Sequence, residues 1–126
     1  MNNLFIEGST TVPNVEMRTD GYIKIAGRAL MENAHEFFQP IKVWAKDFSG
    51  DKLDVEINLE YFNTSVSKHL HDVLKALNEN DKVGEINLKW HYEDGDDEIL
   101  ESGEIYDDLF DNINFSFHPY AEVFDD

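Results

Sequence analysis

Residues 53–77 read LDVEINLEYFNTSVSKHLHDVLKAL, and the hydrophobic period changes part-way along. Leu53, Val55, Ile57, Leu59 and Tyr61 alternate with Asp54, Glu56, Asn58 and Glu60. A period of two gives a strand one buried and one wet face. Val66, Leu70, Val73, Leu74 and Leu77 then fall at i, i+4, i+7, i+8 and i+11, one face of an α-helix. Asn63, Thr64 and Ser65 lie between the two patterns. All three favour helix N-caps, because a side-chain oxygen can accept a free N–H of the first turn. A strand running into a hydroxyl-bearing turn at a helix N-terminus suits a phosphate, since the open N–H groups and the positive end of the helix dipole both favour an anion.

Downstream, Ile86, Leu88, Trp90 and Tyr92 alternate with Glu85, Asn87, Lys89 and His91, a second half-buried strand. The acidic run 93–98 follows. Ile99, Leu100, Tyr106, Leu109 and Phe110 then allow a helix that Gly103 weakens. Ile113, Phe115 and Phe117 form a last strand before Pro119. Upstream, the apolar run Leu4, Phe5, Ile6, a short strand over 15–17 and a strand from Tyr22 that stops near Gly27 read as a β-meander, with Asp20-Gly21 as its hairpin turn. Asn33 and Glu36 have the spacing of a capping box. Beyond them Phe37, Ile41, Trp44, Ala45 and Phe48 keep helical spacing up to a stop at Gly50. Pro40 lies inside that pattern, so it either bends the helix or postpones its start to about Gln39.

Strands alternating with helices imply right-handed crossovers and an at least partly parallel sheet. A parallel sheet covered on both faces would have continuously apolar strands, whereas the two clearest strands here are polar on one side. The expected fold is therefore α/β, a mixed β-sheet with helices packed mainly on one face. Glu56, Asn58, Glu60, Glu85, Asn87, Lys89 and His91 fall on the wetter face. No repeat, low-complexity tract or linker interrupts residues 1–126, so one domain is expected.

The 126 residues are 41% apolar, with nine Phe, five Tyr and two Trp, enough to bury a core. The absence of cysteine excludes disulfides, thiolate catalysis and Cys-based zinc sites. A net charge of −17 repels phosphate backbones and anionic lipid, so no nucleic acid or membrane partner is expected; basic patches on protein partners suit it better. The opening MNNLFIEGSTTVP has neither a basic segment nor a long apolar one, so no secretory signal is expected, and a cytoplasmic location is.

Motifs for catalysis are missing. There is no nucleophile elbow, P-loop or HExxH. His69 and His71, two apart on a helix, diverge by about 160° and cannot share a metal. The loop 93–98 does not set alternating ligands, a central glycine and a final glutamate in the register of a calcium-binding EF-hand loop. No cofactor, no metal and no enzymatic activity are expected. Two rival readings stay open: an interaction domain without phosphorylation, and a small enzyme dependent on a divalent ion.

The segments LEYFNTSVSKHLHDVLKAL, MENAHEFFQPIKVW and INLKWHYEDGDDE resemble the SiaC family of bacterial regulatory phosphoproteins, above all in the Tyr-x-Asn-Thr-Ser turn and the Trp-His-Tyr strand end. The likeness runs over nearly the whole chain. It implies a fold similar to STAS domains and anti-sigma-factor antagonists. It also implies a binary switch, in which a cognate serine/threonine kinase phosphorylates the threonine of the turn and a PP2C-type phosphatase removes the phosphate. The unphosphorylated form would bind and activate an effector, a diguanylate cyclase in the family, raising cyclic di-GMP and so controlling biofilm formation. Carried onto this chain, the phosphoacceptor is Thr64, with Asn63 and Ser65 as turn partners and Ser67, Lys68 and His71 on the docking surface. The acidic residues around 93–108 and at Asp125 and Asp126 depart from the family pattern.

Overall fold

The computed structural model describes residues 1–121; the expectation concerning Asp125 and Asp126 lies outside them. The elements run β1 (Leu4–Ile6), β2 (Asn14–Arg18), β3 (Tyr22–Ala29), α1 (Ala34–Asp47), β4 (Gly50–Phe62), α2 (Thr64–Asn78), β5 (Val83–Glu93), α3 (Asp97–Leu109) and β6 (Asn114–Tyr120). The six strands form one mixed sheet in chain order. β1, β2 and β3 pair antiparallel, and β3 to β6 pair parallel.

This order explains why the sheet is covered on one side. Each helix links two neighbouring parallel strands, and each step goes the same way across the sheet. Right-handed crossovers repeated in one direction place all their helices on one face. Ile23, Ile25, Leu53, Val55, Ile57, Leu88 and Trp90 point into the helical layer and are buried there with Phe38, Ile41, Leu70 and Leu74. Glu56, Asn58, Glu60, Glu85, Asn87, Lys89 and His91 are half-buried or exposed, as the alternation requires for the open face. There Glu56 has Lys24 and Lys89 as its direct cross-strand neighbours. Diagonally it accepts a hydrogen bond from the Tyr22 hydroxyl and pairs with His91 Nε2 at 3.1 Å. The Tyr22 bond holds the Glu56 carboxyl below the ordinary range, while burial and then Glu56 itself push Tyr22 up to about 12.

Several local expectations are corrected. β3 continues past Gly27 to Ala29. α1 starts at Ala34 and carries Pro40 in its interior; Pro40 and Glu36 one turn before it are both exposed, so the carbonyl that loses its N–H partner faces water. Asn33 caps without a side-chain hydrogen bond, so the capping box does not form. The acidic run, expected as a loop over 93–98, is a turn of three residues between β5 and α3. Glu93 ends β5, Asp96 caps α3 by accepting from Ile99 N–H at 3.2 Å, and Asp97 and Glu98 complement the dipole of the first turn. Pro119 belongs to β6, an edge strand, where a missing N–H is tolerated.

Candidate functional site

The turn joining β4 to α2 sits where the parallel strands end, and a register change shapes it. Leu59 lies opposite Gly27 but Tyr61 lies opposite Arg28, so Glu60 is an extra residue on β4. One inserted residue reverses the facing of everything after it. Tyr61, expected inside from the alternation, is 48% exposed, while Phe62 turns inward and meets the Trp90 ring edge-on at 6.4 Å. The bulge thus delivers the chain to Asn63 with an aromatic ring on the surface just before it.

Asn63 is the cap. Its Oδ1 accepts the Val66 N–H at 2.9 Å, and its backbone is extended. Thr64 is consequently the first helical residue. It is exposed, as is Ser65, and among the described residues neither hydroxyl has a hydrogen-bond partner. α1 has Glu36 in its first turn and α3 has Asp97 and Glu98, but α2 has no acidic residue there. The positive end of the α2 dipole is left without a carboxylate, beside a free threonine hydroxyl.

The rest of the first two turns of α2 is tied to its neighbours. Ser67 Oγ lies 3.1 Å from the Tyr106 hydroxyl, which donates to the Ser67 carbonyl at 3.0 Å. Burial pushes the Tyr106 hydroxyl above its ordinary value. Tyr106 packs edge-on against Trp90 at 5.7 Å, and Trp90 Nε1 donates to Ile99 O at 2.9 Å. On the opposite flank, the Lys42 ammonium donates to His69 Nδ1 at 2.8 Å, and His69 stacks on Phe38. Burial first, then Lys42 and His35, lower the His69 pKa, which keeps the ring neutral enough to accept that bond. His71 points the other way, 5.3 Å from the Phe110 ring and 3.2 Å from Asp72 Oδ1. The two histidines diverge as a helix requires.

Of the residues singled out from the sequence, Thr64, Ser65 and Lys68 are exposed on one stretch of surface, and His71 is half-buried at its edge. Asn63 and Ser67 are engaged internally. The alternation and helical spacing do not single out Tyr61 or Tyr106 as site residues. Tyr61 was betrayed by a detectable signal: Tyr61 and Phe62 are adjacent aromatics, and neighbouring residues of a strand cannot both face the core. Beside the turn the rim is negative, because Glu60, Glu93 and Asp96 stand close enough to Tyr120 to reinforce the rise that burial gives its hydroxyl. Among the described residues no three His, Asp or Glu side chains gather as a metal site needs, and no helix is long and apolar enough to cross a membrane.

The family model of the SiaC family regulatory phosphoproteins matches residues 6–120. The chain belongs to the SiaC family. It is 29% identical over 109 residues to an uncharacterized protein of Pseudomonas aeruginosa strain UCBPP-PA14, covering 82% of this chain and 86% of that one. Its fold is similar to that of SiaC of Pseudomonas aeruginosa, with a TM-score of 0.78 and 26% identity over 97% of this chain and 100% of the other. It also matches, with a TM-score of 0.80 and 26% identity over 93% of this chain and 99% of the other, the crystal structure of the Pseudomonas aeruginosa diguanylate cyclase SiaD in complex with its activator SiaC. This SiaC-family chain thus shares a single α/β architecture, a six-stranded mixed sheet with three helices, with the solved SiaC structures.

Proposed function

We propose that this chain is a phosphorylation-controlled protein–protein switch whose unphosphorylated form binds and activates a diguanylate cyclase. Thr64 is its phosphoacceptor, a serine/threonine kinase places the phosphate and a PP2C-type phosphatase removes it. The observation that carries the reading is the exposed Thr64 hydroxyl at the first position of a helix with no carboxylate in its first turn, in a chain of a regulatory phosphoprotein family. Phosphate adds about −1.5 to −2 charges at neutral pH. The fold tolerates it there, since the dipole end is positive and Lys68 lies one helical turn on. A docked partner does not, because it meets new bulk and charge at its centre. Ser65, Lys68, His71 and the exposed Tyr61 present the docking surface; Asn63 shapes the turn and Ser67 anchors it to Tyr106. The solved complex of a similar SiaC with the cyclase it activates supports the choice of effector. The switch acts at the interface, and the domain works without cofactor, metal or catalysis of its own, in the cytoplasm.

Incubation with the cognate kinase, followed by mass spectrometry of wild type and Thr64→Ala, tests the assignment. Phosphate should map to Thr64 and disappear in the variant. Undiminished phosphate in the variant would sink it.

A further inference from the structure

Large apolar side chains exposed to water include Met1, Phe5, Val43, Tyr61, Ile105 and Leu109, and of these Ile105 and Leu109 are one helical turn apart on the same helix. They are 58% and 53% exposed. At about 100° per residue, Ile105 and Leu109 lie on a flank of α3 centred about 110° from the side that buries Ile99, Gly103, Tyr106 and Phe110. The core of this chain therefore does not account for them. Glu98, Glu101 and Asp108 fall within about 60° of Ile105, so the two apolar side chains form a short ridge with carboxylates along the side turned away from the core. α3 holds six carboxylates and no basic residue. α1 and α2 together hold Lys42, Lys46, Lys68 and Lys75 against Glu36, Asp47 and Asp72. The negative charge of the helical layer is thus concentrated around this ridge.

From this we infer that the outer face of α3 is a second docking surface, separate from the Thr64 turn, for a basic amphipathic helix of a protein partner. Charge complementarity selects the occupant. A helix with leucines at i and i+4 covers Ile105 and Leu109, and flanking arginines or lysines meet Glu98, Glu101 and Asp108. An acidic or neutral helix would leave those carboxylates unpaired, and an anionic lipid surface would be repelled.

The test uses the full chain and two fluorescein-labelled synthetic peptides of about eighteen residues, roughly 27 Å as helices. Both have the same composition, rich in arginine and leucine. One aligns its leucines at i and i+4 between arginines, and the other scrambles them. Fluorescence anisotropy should show wild type preferring the aligned peptide by about tenfold, a margin set by two apolar anchors. Ile105→Ser with Leu109→Ser should abolish that preference, and Phe5→Ser should leave it intact. Glu101→Lys with Asp108→Lys leaves the ridge in place and should weaken the aligned peptide while flattening its salt dependence. Circular dichroism checks that each variant folds. Equal affinity for both peptides, or a preference that survives Ile105→Ser with Leu109→Ser, would overturn the inference. So would a dimer in sedimentation that this double variant dissolves, because a second copy of the chain would then be the occupant.

Discussion

Gly103→Ala sets two opposed effects against each other on the helix that supports the Thr64 turn. Helix propensity favours alanine by about 1 kcal/mol at an interior position. Packing opposes it. A Cβ on Gly103 would lie 2.6 Å from Trp90 Nε1 and 2.7 Å from Trp90 Cδ1 and Cε2, well inside contact distance. The indole has nowhere to go: it is fully buried, flanked by Phe62 and Tyr106, and tied through Nε1 to Ile99 O. Overpacking of this kind costs about 1–3 kcal/mol, and a rigid, hydrogen-bonded indole puts it at the upper end. The net expectation is a loss of about 2 kcal/mol, or roughly 8 °C in Tm for a chain of this size. Thermal unfolding followed by near-UV circular dichroism, which reads the Trp90 environment, measures it. A variant as stable as wild type, or more stable, would show that α3 does not press on Trp90 and that propensity decides this position.

Other expectations are simpler. Asn63→Ala should cost about 0.5–2 kcal/mol in denaturant unfolding because it removes the cap of α2, whereas Thr64→Ala should stay within about 0.5 kcal/mol; the reverse order would make Thr64 the cap. Leu74→Ala, at a fully buried position, should cost about 2–5 kcal/mol, and a change under about 0.5 kcal/mol would place Leu74 outside the core. The folded pKa of Glu56 is depressed, so its contribution to stability is present above the unfolded value near about 4.3 and fades as pH falls through the lower folded value. Glu56→Gln should flatten that acid limb of the stability profile, and an unchanged limb would assign the effect to other carboxylates. The folded pKa of Tyr22 is raised to about 12, so its contribution is complete below the unfolded value of about 10 and is lost as pH rises through the folded one. Ultraviolet titration should find Tyr22 ionising well above an ordinary tyrosine, and closer to one in Glu56→Gln.

Periodicity made most of the fold legible. The change from two to 3.6 residues between Leu59 and Val66 located the central strand and helix, and the polar outer face of β4 and β5 required the helices to lie on one side. What periodicity could not reveal depends on partners distant in sequence. The bulge at Glu60 exists because β3 and β4 slip by one residue opposite Gly27 and Arg28, and its one local trace in β4 is the adjacent aromatic pair Tyr61 and Phe62. Pro40 is tolerated because its side of α1 faces water, which follows from how α1 packs. Gly103, read as a weakness of α3, is required by the Trp90 indole against it. At the turn, three residues had capping chemistry and only the backbone decided among them: Asn63 took the cap, which left Thr64 exposed with a free hydroxyl.

The central claim is that charge at Thr64, rather than refolding, controls the effector. Its most direct test is the affinity of a purified diguanylate cyclase for this chain, unphosphorylated and stoichiometrically phosphorylated at Thr64, measured by isothermal titration alongside the unfolding midpoint of each form. The expected result is similar unfolding midpoints and affinity at least about tenfold weaker for the phosphorylated form, a difference of about 1.4 kcal/mol or more. Equal affinity of the two forms, or a loss of binding that comes with unfolding, would contradict it.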